Sequence, residues 1–220
     1  MKIFKTSLLA AFTALSLVAA SGATAGVIFT PGNHPQADEE NIIFNGPNTI
    51  EGPAMTVTGL TDHSDVLVAF TSPINLITPS NGQAGVTGAG TDSFTDLSVY
   101  LLAGGTFGDL IFNLHLAEGN EGTATITAFL EGGGTASYAL AVGNGDNFLT
   151  IVADDGDRLT KVSISSNVGL DDGRQFRISD IQGAHPVPVP SAFWLLITGL
   201  MMMVVLRGRR RLSYPLSLTA

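Results

Sequence analysis

The chain contains no cysteine. Disulfide staples are therefore excluded, although export would permit them, and so is the lipid-linked cysteine of a bacterial lipoprotein. Basic residues are almost as scarce. From Gly26 to Asp157 there is no lysine or arginine at all, so most of the chain offers nothing to a nucleic-acid backbone. The glycines between Thr78 and Ser93 are followed by no lysine and no helical pattern, which excludes a phosphate cradle. There is one tryptophan, and aromatic residues make up 7% of the chain. That weakens both a sugar-cleaving groove and a sugar-binding site built on stacked platforms. Between Gly26 and Gln182 no stretch carries the apolar period of an amphipathic helix. No Gly-x-Ser-x-Gly elbow and no His-x-x-x-His pair occurs anywhere.

What charge there is lies unevenly. Of ten Lys and Arg, Lys2 and Lys5 stand near the start, and Arg207, Arg209, Arg210 and Arg211 near the end. Only Arg158, Lys161, Arg174 and Arg177 remain between, against all nineteen acids, so residues 26–182 carry a net charge of 4 − 19 = −15. Such a surface repels nucleic acid and anionic sugars and suits a soluble extracellular body. Residues 26–182 suffice for one domain with a core of its own, not for two.

The first 25 residues read as a signal peptide. A short basic segment, Met1 to Lys5, precedes an apolar run from Leu8 to Ala20, of signal-core length and too short for a comfortable span. Ala23-Thr24-Ala25 supplies a small-x-small cleavage site, with Gly26 as the first mature residue.

The domain reads as β throughout. Short segments rich in β-branched residues are separated by Gly, Asn, Asp and Pro. The spacing predicts strands at Val27–Thr30, Ile42–Phe44, Thr56–Gly59, Val66–Thr71, Leu97–Leu102, Leu110–Leu116, Thr123–Leu130, Ser137–Val142, Phe148–Ala153, Lys161–Ser165 and Gln175–Ser179. Ala124, Ile126 and Ala128 alternate with Thr123, Thr125 and Thr127, and Val162 and Ile164 alternate with Lys161, Ser163 and Ser165, the pattern of strands with one buried face. Glu131-Gly132-Gly133-Gly134, Gly143-Asn144-Gly145-Asp146 and Asp154-Asp155-Gly156-Asp157 have hairpin-turn composition. Thr30 to Glu40 reads as a surface loop, and Thr78 to Ser93 as a long loop or part of an edge hairpin. The fold class expected is all-β: one antiparallel, jelly-roll-like β-sandwich between an N-terminal signal peptide and a C-terminal transmembrane helix.

The C-terminal part divides into a Pro-rich linker at 183–190, an uncharged apolar run at 191–206 and a basic tail at 207–220. Pro186, Pro188 and Pro190 make the linker stiff and extended. As a helix the apolar run would span roughly 24 Å, slightly less than a ~30 Å hydrocarbon core. Phe193 and Trp194 stand at its entry, where amphipathic rings favour the interface. The arginines should stay cytoplasmic by the positive-inside rule, which places the domain outside. The sequence Val187-Pro188-Val189-Pro190-Ser191-Ala192-Phe193-Trp194-Leu195, with the apolar run and arginines behind it, resembles the PEP-CTERM sorting signals of Gram-negative bacteria, in the variant usually written Val-Pro-Leu-Pro-Ala. Val189 and Ser191 depart from that pattern, and nine residues follow the arginines where such tails usually stop. The resemblance implies recognition of Val187, Pro188, Val189 and Pro190 by an exosortase-type enzyme. It implies inner-membrane anchoring first, then release to the cell surface or to an exopolysaccharide matrix or biofilm.

Residues with chemical potential are scattered. His34, His63, His115 and His185 share no metal spacing. Asp62-His63-Ser64 holds the residue types of a catalytic triad, but chain neighbours rarely converge as one, and the segment reads as a polar turn. His115, between Leu114 and Leu116, belongs on a polar strand face. Asp154, Asp155 and Asp157 are the candidate calcium ligands; ordinary turn chemistry explains them without metal, since the spaced acids of an EF-hand loop are missing. No catalytic residue and no other cofactor is indicated. The expectation is a non-enzymatic envelope or matrix protein with a structural or adhesive role. A carbohydrate-binding module, calcium-assisted or not, is the alternative, and a secreted hydrolase the third reading.

Overall fold

The computed structural model describes residues 26–79, 85–90, 93–117 and 121–183. Residues Ala23 and Ala25 of the cleavage site, the Val187–Pro190 motif, the apolar run and the four arginines at 207–211 lie outside the described residues. Eleven strands follow one another: β1 (Val27–Pro31), β2 (Glu40–Ile43), β3 (Ala54–Thr61), β4 (Leu67–Ile77), β5 (Gly85–Gly88), β6 (Phe94–Leu101), β7 (Asp109–Leu116), β8 (Gly122–Leu130), β9 (Thr135–Val142), β10 (Asn147–Ala153) and β11 (Leu159–Ser179). Every pairing is antiparallel. No described residue is helical, and no helix among them is long and apolar enough to cross a membrane.

The strands form two halves that share β11. Its first part pairs with β8 on one side and β6 on the other, and the row extends outward through β9 and through β4 and β3. Its second part pairs with β7, and that row continues through β10 to β1. β2 and β5 bridge the halves, β2 between β3 and β11, β5 between β4 and β11. The halves fold over a common core because apolar residues alternate inward along each strand. Ala124, Ile126, Ala128, Leu130, Val162, Ile164, Val99 and Phe70 from one half meet Leu110, Phe112, Leu114, Leu149, Ile151 and Phe176 from the other. The rings interlock there, with Phe70 edge-on to Phe176 at 4.7 Å and Phe112 6.0 Å from Phe176. Among the described residues, every strand and every core residue lies between Val27 and Ile181.

Two expectations change. Lys161–Ser165 and Gln175–Ser179 are the ends of one strand of 21 residues. The Ser166–Arg174 stretch between them has the glycines and acids of a turn, yet it stays extended and carries the chain from one half to the other. The register shifts between Ser165 and Leu170 and again between Arg174 and Arg177, and Gln175, at φ 52°, is the bulged residue. Gly173 fits this passage because a Cβ there would meet the Phe176 ring at 2.9 Å. Within Thr78–Ser93 the structure has a strand, β5, that pairs antiparallel with β4 as in the hairpin reading of this stretch; it is not at an edge, since it is held from both sides, by Leu76 and Ile77 and by Asp172 to Arg174.

Candidate functional site

The outer face of the β8–β11–β6 half carries hydroxyl groups in register across six strands. Ser137 stands opposite Thr127, Thr127 opposite Ser163, Ser163 opposite Ser98, Ser98 opposite Thr71, and Thr71 opposite Thr56. With strands ~4.8 Å apart, the row is about 24 Å long. Each member occupies the outward position of an alternating strand whose inward positions are core residues, so the row follows from period-two patterning. The hydroxyls bond in pairs: Thr127 with Ser137 at 3.1 Å, Ser98 with Ser163 at 3.1 Å, and Thr56 with Thr71 at 3.0 Å. The Tyr100 hydroxyl joins Thr71 at 3.2 Å. Seven hydroxyls thus share four bonds, which leaves three O–H donors and most lone pairs free for a ligand.

The flanking rows differ in character. On one side Phe129, Lys161 and Tyr100 are consecutive across β8, β11 and β6. The Lys161 ammonium sits 4.0 Å from the centre of the Phe129 ring, a cation–π contact that keeps its charge on the face. On the other side Ser165 Oγ donates to Asp96 Oδ1 at 2.9 Å. At the β3 end the segment before Met55 closes over the sheet: Ile50 N–H donates to Thr58 Oγ1 at 2.7 Å and Thr58 N–H to the Ile50 carbonyl at 3.0 Å. The result is a long neutral strip of donors and acceptors with two partly exposed rings beside it and a wall at one end. Strips of this kind match a ligand that is itself a row of hydroxyls and has apolar ring faces.

Asp109 lies in the other half of the fold, on β7. Asp109 is 3% exposed; its Oδ2 accepts from the Ser179 hydroxyl and its Oδ1 has no partner. Burial, reinforced by the nearby charges of Glu39 and Asp180 and opposed by Arg177, pushes its pKa up to about 7. The loop expected between Thr30 and Glu40 lies over this region: Arg177 donates to Glu39 Oε2 at 3.0 Å and to Asn33, and His34 N–H donates to Thr150 Oγ1. Glu39 is thus the inward anchor of an apparently acidic surface loop, a role the three consecutive acids do not announce.

Asp62 and His63 are brought together, with Asp62 Oδ1 2.6 Å from His63 Nδ1. Ser64 does not complete a triad; its hydroxyl bonds Thr61 Oγ1 at 2.7 Å. Glu40 joins them in the one group of three metal-ligating side chains found among the described residues. Several of its ligand atoms already take part in hydrogen bonds. Glu40 Oε2 accepts from the His63 and Ser64 N–H groups, and Asp62 accepts from the Asn41 N–H and side-chain amide. Burial works against the Asp62 charge, but the bonds from Asn41 and His63 hold its pKa below the usual value. The cluster clamps the β3–β4 turn to β2.

Asp154, Asp155 and Asp157 occupy the β10–β11 turn. Asp154 Oδ1 accepts from the Asp155 N–H at 2.9 Å, and Asp157 Oδ2 accepts from the Gly26 N–H at 2.9 Å. The Asp157 carboxylate thereby ties Gly26 to the turn. His115 lies outward as expected, opposite Asp172 and 3.4 Å from Asp146. The hydroxyl row itself was missed in sequence. Its signal was present as Ser and Thr at outward positions of separate segments, but only pairing shows that they align.

No protein-family model matches the chain, and no curated protein matches it. Among solved structures it is similar to the family 11 carbohydrate-binding module from Clostridium thermocellum in complex with a β-1,3-1,4-mixed-linked tetrasaccharide, at a TM-score of 0.32 and 12% identity over 66% of this chain and 97% of that one. The family 11 module of a cellulosomal cellulase of the same organism gives 0.32 and 12% over 66% and 96%. What the structure itself defines is an antiparallel all-β domain with a hydroxyl-lined outer face.

Proposed function

We propose that this is an exported, non-enzymatic surface or matrix protein whose jelly-roll-like sandwich binds a neutral, hydroxyl-rich polysaccharide along the Ser137–Thr127–Ser163–Ser98–Thr71–Thr56 row. The observation that carries this reading is the row itself, which offers unused donors and acceptors at a regular spacing beside Tyr100 and Phe129. The net charge of −15 turns away anionic polymers, which leaves neutral ones. A structural or adhesive role in an exopolysaccharide layer is then the consequence of binding. The test is binding of segment 26–183 to immobilised neutral and anionic glycans, with and without a chelator. Neutral glycans should bind, and Tyr100→Ala with Ser163→Lys should weaken binding at least about tenfold by removing a ring face and placing an ammonium across the strip. Loss on chelation would add calcium to the site. Binding indifferent to both substitutions would refute the site, and turnover of the polymer would favour the hydrolase reading.

A further inference from the structure

We propose that β9 is a self-association edge, through which two copies of this chain join their sheets around a twofold axis. β9 pairs with β8 along its whole length, from Phe129 opposite Thr135 to Gly122 opposite Val142, without a register shift. Among the described residues its other side pairs with no strand. The hairpin sets which groups are free. Leu130 N–H donates to the Gly134 carbonyl, so the antiparallel alternation turns the backbone of Ala136, Tyr138, Leu140 and Val142 toward β8. It leaves the N–H and C=O groups of Thr135, Ser137, Ala139 and Ala141 on the outer edge.

Natural edge strands are usually blunted by charge, proline, a bulge or a cover. The other edges here are. β1 is 5 residues long and ends in Pro31, and the β3 edge is sealed by Ile50. Among the described residues β9 has none of these devices. From Gly132 to Gly145 there is no charged residue, and the outward side chains of β9 are Thr135, Ser137, Ala139 and Ala141.

Charge selects the occupant. A twofold contact sets each region against its own copy, so any charge there would meet its like. A domain of net charge −15 can approach itself only over a neutral stretch, and this one lies along an open ladder of backbone groups. A basic partner would instead seek the acidic surface. Full overlap centres the axis on Tyr138, with Thr135 opposite Ala141 of the second copy and Ser137 opposite Ala139. Four residues of each copy then exchange backbone hydrogen bonds, and the outer faces of the two copies become continuous. The inference does not rest on the polysaccharide reading.

The absence of native cysteine makes the test direct. Full-length chains carrying Ser137→Cys and Ala139→Cys, co-expressed and oxidised, should form a disulfide-linked dimer, since directly opposed hydrogen-bonded residues stand at disulfide range. Ser165→Cys, exposed on β11 and away from the edge, should stay monomeric. Adding Ala141→Pro to the β9 pair removes one free-edge N–H without touching the β8 ladder, and should lower the dimer yield about tenfold. A β9 dimer yield no higher than that of Ser165→Cys, or one unaltered by Ala141→Pro, would overturn the proposal.

Discussion

At the scale of the residue, burial outweighs chemistry-by-type. Asp109 is one of nineteen acids in the sequence and is indistinguishable there from the rest. In the fold it is buried beneath Glu39 and Arg177 with one oxygen unpartnered, and its pKa rises from 3.8 to about 7. The sign of its effect on stability follows. The native state holds this proton more tightly than the unfolded chain, so unfolding releases a proton between those two values, and stability falls as pH rises from about 4 to about 7. Above that range the cost of a buried charge is complete. Asp109→Asn removes the titration while keeping the shape. Its melting temperature should therefore change less between pH 5 and pH 8 (roughly the range where Asp109 ionises) than that of the unmodified chain. An identical pH dependence in both would show that Asp109 is not the group responsible.

At the scale of the element, β11 is the hinge of the architecture. Its second half crosses to the other side of the core where Gly173 touches Phe176, and that ring packs on Phe70 and Phe112. Gly173→Ala inserts a methyl group against a fully buried ring, and should destabilise the domain by about 1–3 kcal/mol in denaturant unfolding. Phe176→Ala alone should cost about 3–5 kcal/mol through the cavity it leaves. The two together should cost less than their sum, because the cavity takes up the added methyl. Additive losses would show that the contact does not govern the passage of β11.

At the scale of the whole molecule, the domain faces outward in our reading and its address lies in the tail. We propose residues 187–190 as the recognition segment and Arg207, Arg209, Arg210 and Arg211 as the residues that would set the orientation. On that proposal, replacing Pro188 and Pro190 by Ala takes away the two residues that disfavour a helix and should impair reading by a peptidase. An epitope placed after Val27 should then remain with the inner membrane, whereas with the prolines intact it should move to the surface or medium. Retention of both in the inner membrane, with an active exosortase present, would make the tail an ordinary anchor.

The alternation of apolar and polar residues was enough to mark this chain as an antiparallel β protein, because burial of one strand face imposes period two locally. It placed Ala124, Ile126, Val162 and Ile164 in the core and Thr125, Thr127, Ser163 and Ser165 on the outer face, as the structure has them. It failed where partners far along the chain decide the outcome. β5 is a strand because β4 and β11 hold its backbone on both sides. The two halves of β11 are one strand because β8 and β6, then β7, continue the ladder through residues of turn composition. The candidate site was invisible for the same reason. Ser137, Thr127, Ser163, Ser98, Thr71 and Thr56 lie on six strands, and only register brings them into one row. Sequence determines which face of a strand is wet; the long-range pairing decides what stands beside it.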